Sequence, residues 1–366
     1  MIEKPVAVLG GGNGAQTMAA DLTLAGHVVH LYETPRFAGN PRFAPVLDSK
    51  VVELVGIGRT GKARIARVTT DMEEALENVE WINVAIPATG HEVFFEELIP
   101  HLRDGQTVVV WAGDYGSLRL AQMMKEKGVT KRVTIAEGNT LPYGTRLEGA
   151  GRANLLLLAP RVLLAALPGT CSAQLVEKLK PVYPCLEPCQ NVLVAGFCNP
   201  NPIVHPPGSL LNVGRIQYSR GEFWMYREGI TEAVARVIRS VFDEVEAVAK
   251  GLGMHVMQYA DRDFKTTATI MGVAFQGPFD TIGVIASIAG PHTIQDRYIT
   301  EDLPFGLVPV SQLGDKLGID TPLIDGIVSI GSVVCRENYW ETGRTLKRLG
   351  LDTLSPCEIA KYVNGR

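Results

Sequence analysis

The sequence predicts an α/β protein in which an N-terminal domain with a doubly wound parallel sheet is followed by a mostly α-helical domain. Three observations support this fold class. Short apolar runs alternate with amphipathic segments in the first half of the chain, a pattern typical of doubly wound sheets. A glycine-rich turn joins the first run to the first amphipathic segment, and helical periodicity dominates after about residue 190. We therefore place the domains at residues 1–190 and 191–366.

The predicted strands of the first domain are short, nearly continuous apolar runs, as expected for strands covered on both faces. They lie at residues 6–9, 27–32, 81–86, 107–111 and 132–136. Residues 13–25 are predicted as a helix that ends at Gly26, and Thr70-Asp71-Met72-Glu73 as a capping box. We expect a hairpin from runs 51–54 and 63–68, and an added hairpin from runs 154–158 and 162–167.

The second domain is predicted from helical spacing. Apolar residues recur at steps of three and four from Ile230 to Leu252, which indicates one long amphipathic helix. Gly251 and Gly253 are expected to end it. Residues 310–317 and 321–334 are also predicted as helices.

Composition narrows the function. The 366 residues are 46% hydrophobic and 20% charged, with 35 Lys and Arg against 39 Asp and Glu, a net charge of −4. This balance argues against nucleic acid or a membrane surface as partner and favours small molecules. The sequence shows neither a secretory signal nor an apolar run of the ~20 residues that span a bilayer. Six cysteines are too few for a disulfide framework, so we expect a cytoplasmic protein.

The turn Gly10-Gly11-Gly12-Asn13-Gly14-Ala15 fits a Rossmann-type dinucleotide fingerprint. Gly10 would make the tight turn, Gly12 would let the backbone approach a pyrophosphate, and Ala15 would let the helix pack on the strand. The helix N-terminus behind the turn offers free N–H groups to the phosphates. We therefore predict that this loop, including Asn13 and Gly14, binds the cofactor.

Glu33 ends the second predicted strand, 23 residues after Gly10, where the fingerprint puts the acid that binds the ribose. A carboxylate there favours NAD(H), because it would repel a 2′-phosphate. Arg36 could pair with that phosphate or stack on adenine, so NADP stays open. Pro87 follows the 81–86 strand and is expected to contact the cofactor, with His91 starting the next helix.

Three residues of the second domain suit reduction of a carbonyl or imine. His205 could donate a proton near neutral pH, Asp302 could orient the imidazole, and Arg297 could hold a substrate carboxylate in a fork. The competing interpretation is a structural histidine in a proline-rich turn and a solvated charged loop. Spacing alone does not bring residue 205 close to residue 302.

The motifs together resemble the octopine/opine dehydrogenase family, most closely the bacterial N-(1-D-carboxyethyl)-L-norvaline dehydrogenase branch. The resemblance is carried by the glycine turn, the His205-Pro206 pair, Tyr226-Arg227-Glu228-Gly229-Ile230-Thr231 and Arg297-Tyr298-Ile299-Thr300-Glu301-Asp302. It implies condensation of an α-keto acid with the amino group of an amino acid or amine, followed by reduction of the imine with NAD(P)H. It also implies that His205 is the proton donor, Asp302 its acid partner, Arg297 the keto-acid clamp and Asn201 a polar active-site residue.

Two positions depart from the family pattern. Asp114 falls where octopine dehydrogenase carries glutamine, and Thr145 falls where some members have cysteine. Because these positions face substrate in the family, the keto acid and amine stay unassigned. Cys185, Cys189, Cys198 and His205 could be read as zinc ligands, but their loose spacing favours buried thiols and no metal.

Two other functions stay open from the sequence. One is a 2-keto-acid reductase of the ketopantoate reductase type, which needs no amine. The other is a non-catalytic NAD(H)-binding regulator, which would have little use for His205, Arg297 and Asp302 together. A homodimer formed through the helical domain is a further expectation.

Overall fold

A computed structural model describes residues 4–264, 270–271 and 289–365. Its internal contacts divide the chain into two compact units, Met1–Val192 and Leu193–Arg366. The division falls two residues from the boundary predicted at 190. Each unit has its own secondary structure and its own candidate chemistry.

The first unit contains twelve described strands in two sheets. They are β1 (Val6–Leu9), β2 (Val29–Tyr32), β3 (Val51–Gly56), β4 (Gly61–Arg64), β5 (Arg67–Thr69), β6 (Trp81–Val84), β7 (Thr107–Trp111), β8 (Thr134–Gly138), β9 (Tyr143–Gly149), β10 (Arg152–Leu158), β11 (Val162–Leu167) and β12 (Leu186–Pro188). The larger sheet has the order β12-β11-β8-β7-β6-β1-β2-β5, and the smaller has the order β4-β3-β10-β9.

The larger sheet is parallel except where β11 runs antiparallel to β8. Strands β1, β2, β6 and β7 are buried along their whole length, which explains their nearly continuous hydrophobicity. Because β1 pairs with both β2 and β6, the strand order reverses beside it. In open α/β sheets this switch point is where ligands bind, and the glycine turn leaves β1 there.

The observed strand pairing differs from the two hairpins predicted from the sequence. β10 pairs with β3 and β9, whereas β11 pairs with β8 and β12 in the other sheet, so the added hairpin is wrong. β3 and β4 do form an antiparallel hairpin, but β5, within the same apolar run, lies beside β2 in the larger sheet. Local apolar runs do not specify which distant backbone completes each ladder.

The described helices of the first unit are α1 (Asn13–Leu24), α2 (Ala44–Ser49), α3 (Met72–Ala75), α4 (His91–Leu98), α5 (Gly116–Glu126) and α6 (Ser172–Leu179). Helix α7 (Val192–Phe197) begins at the last residue of the first unit and lies mainly in the second. Short 3₁₀ turns occupy Ala88–Gly90, Ile99–His101 and Gly169–Cys171. The cap of α3 is Asp71, whose carboxylate accepts from the backbone N–H groups of Glu73 and Glu74 at 2.8 and 3.1 Å. The N-cap is therefore Asp71 and not Thr70, and the Asp71 N–H donates to the Thr69 hydroxyl at 3.0 Å, so the predicted capping box is wrong.

The second unit contains no strand among its described residues. After α7, its described helices are α8 (Pro200–Leu210), α9 (Val213–Ser219), α10 (Glu232–Gly251), α11 (Arg297–Thr300), α12 (Val308–Leu317), α13 (Pro322–Cys335), α14 (Tyr339–Thr342) and α15 (Pro356–Asn364). A 3₁₀ turn spans Asp261–Phe264, and two π-helical turns span Met225–Gly229 and Asp302–Leu307. The three predicted helices match α10, α12 and α13 within two residues at each end.

Candidate active site

The glycine turn has the geometry that the dinucleotide fingerprint requires. Gly10 has a φ of +117°, and a Cβ there would lie 2.6 Å from the Ile86 side chain and 3.1 Å from the Ala85 carbonyl oxygen. A Cβ on Gly12 would meet nothing within 4 Å, which leaves room for a pyrophosphate beside the backbone. Gly12 also caps α1 without a side-chain hydrogen bond, so the first N–H groups of α1 suit an anion.

Neighbouring side chains hold this turn in place. A Cβ on Gly14 would lie 2.9 Å from Leu141, and Ala15 is wholly buried. Asn13, predicted to bind the cofactor, accepts a 2.9 Å hydrogen bond from the Leu147 N–H through its side-chain oxygen. Gln16, which the sequence analysis missed, donates to the Gly11 carbonyl oxygen at 2.7 Å. The turn is therefore braced by the fold itself.

Glu33 lies directly after β2, and its carboxylate reaches back to the glycine turn. A Cβ on Gly11 would come within 2.6 Å of the Glu33 carboxylate, so glycine is needed there. Burial raises the pKa of Glu33 to about 7, and the Glu97 carboxylate adds to the rise, whereas the backbone N–H groups of Thr34 and Gly11 oppose it. Glu33 thus combines the predicted ribose position with an ionisation near neutral pH.

Two further predicted contacts lie near the same sheet edge. Arg36 is exposed and its guanidinium lies 5.5 Å from the centre of the Phe37 ring. Pro87 is exposed and precedes the 3₁₀ turn that leads from β6 into α4. The carboxyl ends of parallel strands lie at the same edge of a sheet. These residues and the glycine turn therefore lie at the edge where a dinucleotide is expected to bind.

His205 lies on α8, although two prolines follow it directly. Pro206 and Pro207 cannot donate backbone hydrogen bonds, and the sequence therefore suggested a turn. The helix nevertheless continues to Leu210, with Asn199 as its N-cap accepting from the Asn201 N–H at 3.1 Å. Asn201 lies one turn before His205 and shares its helix face.

The structure brings His205 and Asp302 together in a buried pair. His205 Nδ1 lies 2.6 Å from Asp302 Oδ2, and the two side chains are 2% and 1% exposed. A solvated loop for Asp302 is therefore wrong, because the π-helical turn that begins there packs on α8. Tyr226 lies on the opposite side of the imidazole, with its hydroxyl 2.8 Å from His205 Nε2.

Arg297 joins this cluster through an aromatic ring. The Tyr298 ring stacks on the His205 imidazole, with centroids 3.8 Å apart and planes 4° from parallel. The Arg297 guanidinium lies 5.7 Å from the centre of the Tyr298 ring and is 47% exposed, with one nitrogen 3.5 Å from the Glu301 carboxylate. The sequence missed Glu301, which is buried and sits one helical turn after Arg297.

The two departures from the family pattern lie in different environments. Asp114 is 2% exposed with a φ of +45°, in a strained loop after β7 where Ala112 and Tyr115 also have positive φ. The buried Glu137 carboxylate holds this loop by accepting from the Tyr115 N–H at 2.6 Å. Because Asp114 follows the carboxyl end of β7 in a strained loop, it remains a candidate for substrate contact.

Thr145 does not support the expectation that it faces substrate. Its hydroxyl donates to the Asn154 carbonyl oxygen at 3.0 Å and lies 2.6 Å from the Thr17 hydroxyl. Both side chains are buried where α1 packs on the smaller sheet. The hydroxyl of Thr145 therefore ties two elements of the first unit together.

One of the cysteines considered as zinc ligands forms a hydrogen bond within the second unit. Cys198 is buried and its sulfur accepts from the Met257 N–H at 3.3 Å. Across residues 4–264, 270–271 and 289–365, no three His, Cys, Asp or Glu side chains are arranged as metal ligands. Within the same ranges, no helix combines the length and hydrophobicity that crossing a membrane requires.

Comparison with known proteins shows the family of the chain. A family model for the α-helical domain of NAD/NADP octopine/nopaline dehydrogenases matches residues 188–335. An opine dehydrogenase of Arthrobacter sp. (strain 1C) is 30% identical over 99% of this chain and 100% of its own. The chain belongs to the opine dehydrogenase family. The family resemblance inferred from the motifs is thus confirmed.

Two solved structures are similar in fold to this chain. An octopine dehydrogenase solved with NADH and pyruvate has a TM-score of 0.71 and 20% identity, covering 99% of this chain and 98% of its own. A yersinopine dehydrogenase with NADP⁺ bound has a TM-score of 0.71 and 16% identity, with coverage of 99% and 98%. The predicted fold class, a doubly wound domain followed by a helical domain, is confirmed.

Proposed function

We propose that the protein is an NAD(P)H-dependent opine dehydrogenase that condenses an α-keto acid with the amino group of an amino acid or amine and reduces the imine. The observation that carries this proposal is the buried Asp302–His205 pair, with Arg297 layered on the same cluster. A simple dinucleotide-binding regulator has no need of this constellation. The family to which the chain belongs supports the same reaction.

The first unit would hold the cofactor at the switch point of its larger sheet. Gly10, Gly12 and the N-terminus of α1 would take the pyrophosphate, and Glu33 would take the adenosine ribose. Bound NAD(P)H supplies the hydride that reduces the imine. Glu33 supports NADH as the preferred cofactor, and the exposed Arg36 leaves room for NADPH. The NADH and NADP⁺ complexes of the octopine and yersinopine enzymes agree with either choice.

Arg297 would bind the carboxylate of the keto acid. Its guanidinium is half-exposed and 3.5 Å from the Glu301 carboxylate, a distance too long for a strong charge-assisted hydrogen bond. A substrate carboxylate could therefore occupy the fork in a bidentate arrangement. Pyruvate, found in the octopine dehydrogenase structure, is the model keto acid for this site.

His205 would supply and take up the protons of the reaction, and Asp302 would set its tautomer. An ionised carboxylate only accepts hydrogen bonds, so Asp302 Oδ2 accepts from the Nδ1–H of the imidazole. Nε2 is then the nitrogen that gains and loses the proton. A carboxylate in this position would also hold the imidazole in place while a proton is passed toward the hydroxyl that leaves when the imine forms.

The direct test is oxidation of NADH, and then NADPH, with a keto acid alone, with an amine alone, and with both together. We expect turnover only with both, because the imine forms from the two substrates. Turnover with keto acid alone would instead support the 2-keto-acid reductase. Cofactor binding without turnover across pyruvate and a panel of amino acids would support the regulator.

Arg297→Lys gives a matched test of the clamp. Lysine keeps the charge but loses the fork, so we expect KM for the keto acid to rise about tenfold or more while KM for the amine changes little. Arg236→Lys is the control, since Arg236 lies on α10 with its side chain 67% exposed. Equal kinetics for both variants would contradict the role of Arg297. A cytoplasmic location and a homodimer stay predictions from the sequence.

A further inference from the structure

The imidazole of His205 has no nitrogen left for a direct contact with substrate. Nδ1 lies 2.6 Å from Asp302 Oδ2 and Nε2 lies 2.8 Å from the Tyr226 hydroxyl. Tyr298 covers one face of the ring. The nitrogen expected to exchange the proton is therefore the one that Tyr226 occupies.

The direction of these hydrogen bonds follows from the chemistry of the groups. With Asp302 accepting from Nδ1–H, the neutral imidazole accepts at Nε2, so Tyr226 O–H donates to it. When the ring is protonated, Nε2–H donates to the phenol oxygen instead. The phenol hydrogen can then be donated to another group. A proton held on His205 can therefore be transferred through the Tyr226 hydroxyl.

Tyr226 is held in this position by its local structure. It lies in the π-helical turn Met225–Gly229, which is closed by a 2.8 Å hydrogen bond from the Ile230 N–H to the Met225 carbonyl oxygen. The Asn212 amide donates to the Gly208 and Gly229 carbonyl oxygens at 2.8 and 2.9 Å, which fastens the turn to α8. Isolated π-turns are frequent at functional sites.

Glycine at position 208 lets the turn approach α8 closely. A Cβ on Gly208 would lie only 2.7 Å from the Met225 sulfur. Asp302 begins a second π-helical turn, so both hydrogen-bond partners of His205 come from such turns. The charged groups nearest in the chain to these partners are Arg227 and Glu228 beside Tyr226, and Arg297 and Glu301 beside Asp302.

We propose that Tyr226 is the terminal acid of a proton relay from His205, which Asp302 orients, and this inference rests on the proposed function. In the carbinolamine formed by amine and keto acid, the Tyr226 hydrogen passes to the leaving hydroxyl as the C–O bond breaks. The nitrogen lone pair forms the C=N bond and water departs. The phenol oxygen takes the Nε2 hydrogen of the imidazolium, which leaves His205 neutral and Tyr226 protonated.

The test is Tyr226→Phe, which removes one oxygen and keeps the ring. We expect kcat to fall about 10²-fold or more, the range for loss of a general acid, while KM for the keto acid changes little. Tyr218→Phe is the control, because Tyr218 is 88% exposed on α9. If Tyr226→Phe turns over within a few-fold of the wild-type protein, the relay is wrong.

Fluorinated tyrosines at position 226 separate a relay from a merely positioning hydroxyl, and they cover the case in which Tyr226→Phe does not fold. They retain the oxygen and lower the phenol pKa step by step. In a relay kcat changes progressively with that pKa, whereas a positioning tyrosine leaves kcat constant. The second result would overturn the proposal.

A measurement that needs no turnover distinguishes failure of the relay from failure of the proposed function. The ¹⁵N NMR signal of His205 Nε2, assigned by its loss in His205→Ala, should move in Tyr226→Phe and not in Tyr218→Phe. An unmoved signal would disprove the hydrogen bond and the relay. A moved signal in a protein without two-substrate turnover would contradict the reaction assigned here while supporting the contact.

Discussion

Glu33 is a buried carboxylate that we expect to determine whether NADH or NADPH binds more tightly. Its pKa of about 7 means that it ionises across the neutral range. The ionised form repels a 2′-phosphate, so the preference for NADH over NADPH should grow by up to about tenfold between about pH 6 and pH 8. The ratio of the two dissociation constants, measured across this range, checks the expectation.

The control for this measurement is Glu33→Gln. The amide keeps the shape of the side chain but carries no ionisable proton, so the preference should become flat with pH. The 2′-phosphate titrates in both proteins, and any slope that survives in the variant belongs to the phosphate. An unchanged slope in Glu33→Gln would show that another group sets the preference.

The same raised pKa predicts the stability of the cofactor-free protein. Between the ordinary glutamate pKa and about 7, folded Glu33 binds a proton that the unfolded chain has released, so stability falls as pH rises through this window. Glu33→Gln should remove this part of the pH dependence. Urea unfolding of both proteins at several pH values compares the two slopes.

Asp302 is expected to act on His205 and not on substrate. Asp302→Asn keeps the size of the side chain but can present an N–H to Nδ1, which favours the wrong tautomer. We expect kcat to fall about 10²-fold or more with cofactor affinity unchanged. Asp325→Asn, on α13 with partners Ser311 and Thr321, is the control at a half-buried, hydrogen-bonded aspartate outside the site. Equal loss in both variants would point to a general effect on folding.

At the scale of elements, two glycines of the turn after β1 are expected to have different roles. Gly10 affects the stability of the fold, and Gly12 affects the binding of the cofactor. Gly10→Ala places a Cβ 2.6 Å from Ile86 at a φ of +117°, so we expect a loss of about 1–3 kcal/mol in the free energy of unfolding. Gly12→Ala meets no atom within 4 Å, so its stability should stay near that of the wild-type protein. NADH affinity should nevertheless fall about tenfold or more, because the added Cβ lies where the pyrophosphate approaches.

Unfolding by urea and NADH titration of the two variants check this pair of expectations. Tight NADH binding by Gly12→Ala would contradict the placement of the pyrophosphate. Normal stability of Gly10→Ala would show that the turn can relax around Ile86. The two variants thus test one loop by independent readouts.

Much of the secondary structure was predictable because its causes are local. Strands buried on both faces have continuous apolar runs, and α10 carries its apolar residues at helical spacing. The assignment of β10 and β11 to different sheets depends instead on pairing with β3 and β8. No local pattern in residues 152–167 specifies those partners.

The sequence identified the residues of the candidate site, but it did not predict how they are arranged in space. Histidine, aspartate and arginine were identified by the chemistry that they can perform, but His205 and Asp302 are 97 residues apart. In the sequence, only the family resemblance indicated that these two residues form a pair. Tyr226 was present in a matched motif, yet nothing in the sequence indicated that a π-helical turn would aim its hydroxyl at Nε2.

At the scale of the whole molecule, each unit contributes a different capacity. The first unit carries the glycine turn that we propose binds the dinucleotide at the switch point of a doubly wound sheet. The second carries the buried His205–Asp302 pair that we propose handles the protons. Reductive condensation needs both capacities in one chain. The match to the Arthrobacter opine dehydrogenase over 99% of this chain and 100% of the relative is consistent with that requirement.

The most direct test of the central claim is the identity of the product formed from pyruvate, an amino acid and NADH. Mass spectrometry should find a secondary amine with the combined mass of both substrates, less one water and plus two hydrogens. Deuteride from labelled NADH should appear on the former keto carbon. Lactate as the product, with the amino acid returned unchanged, would contradict the account.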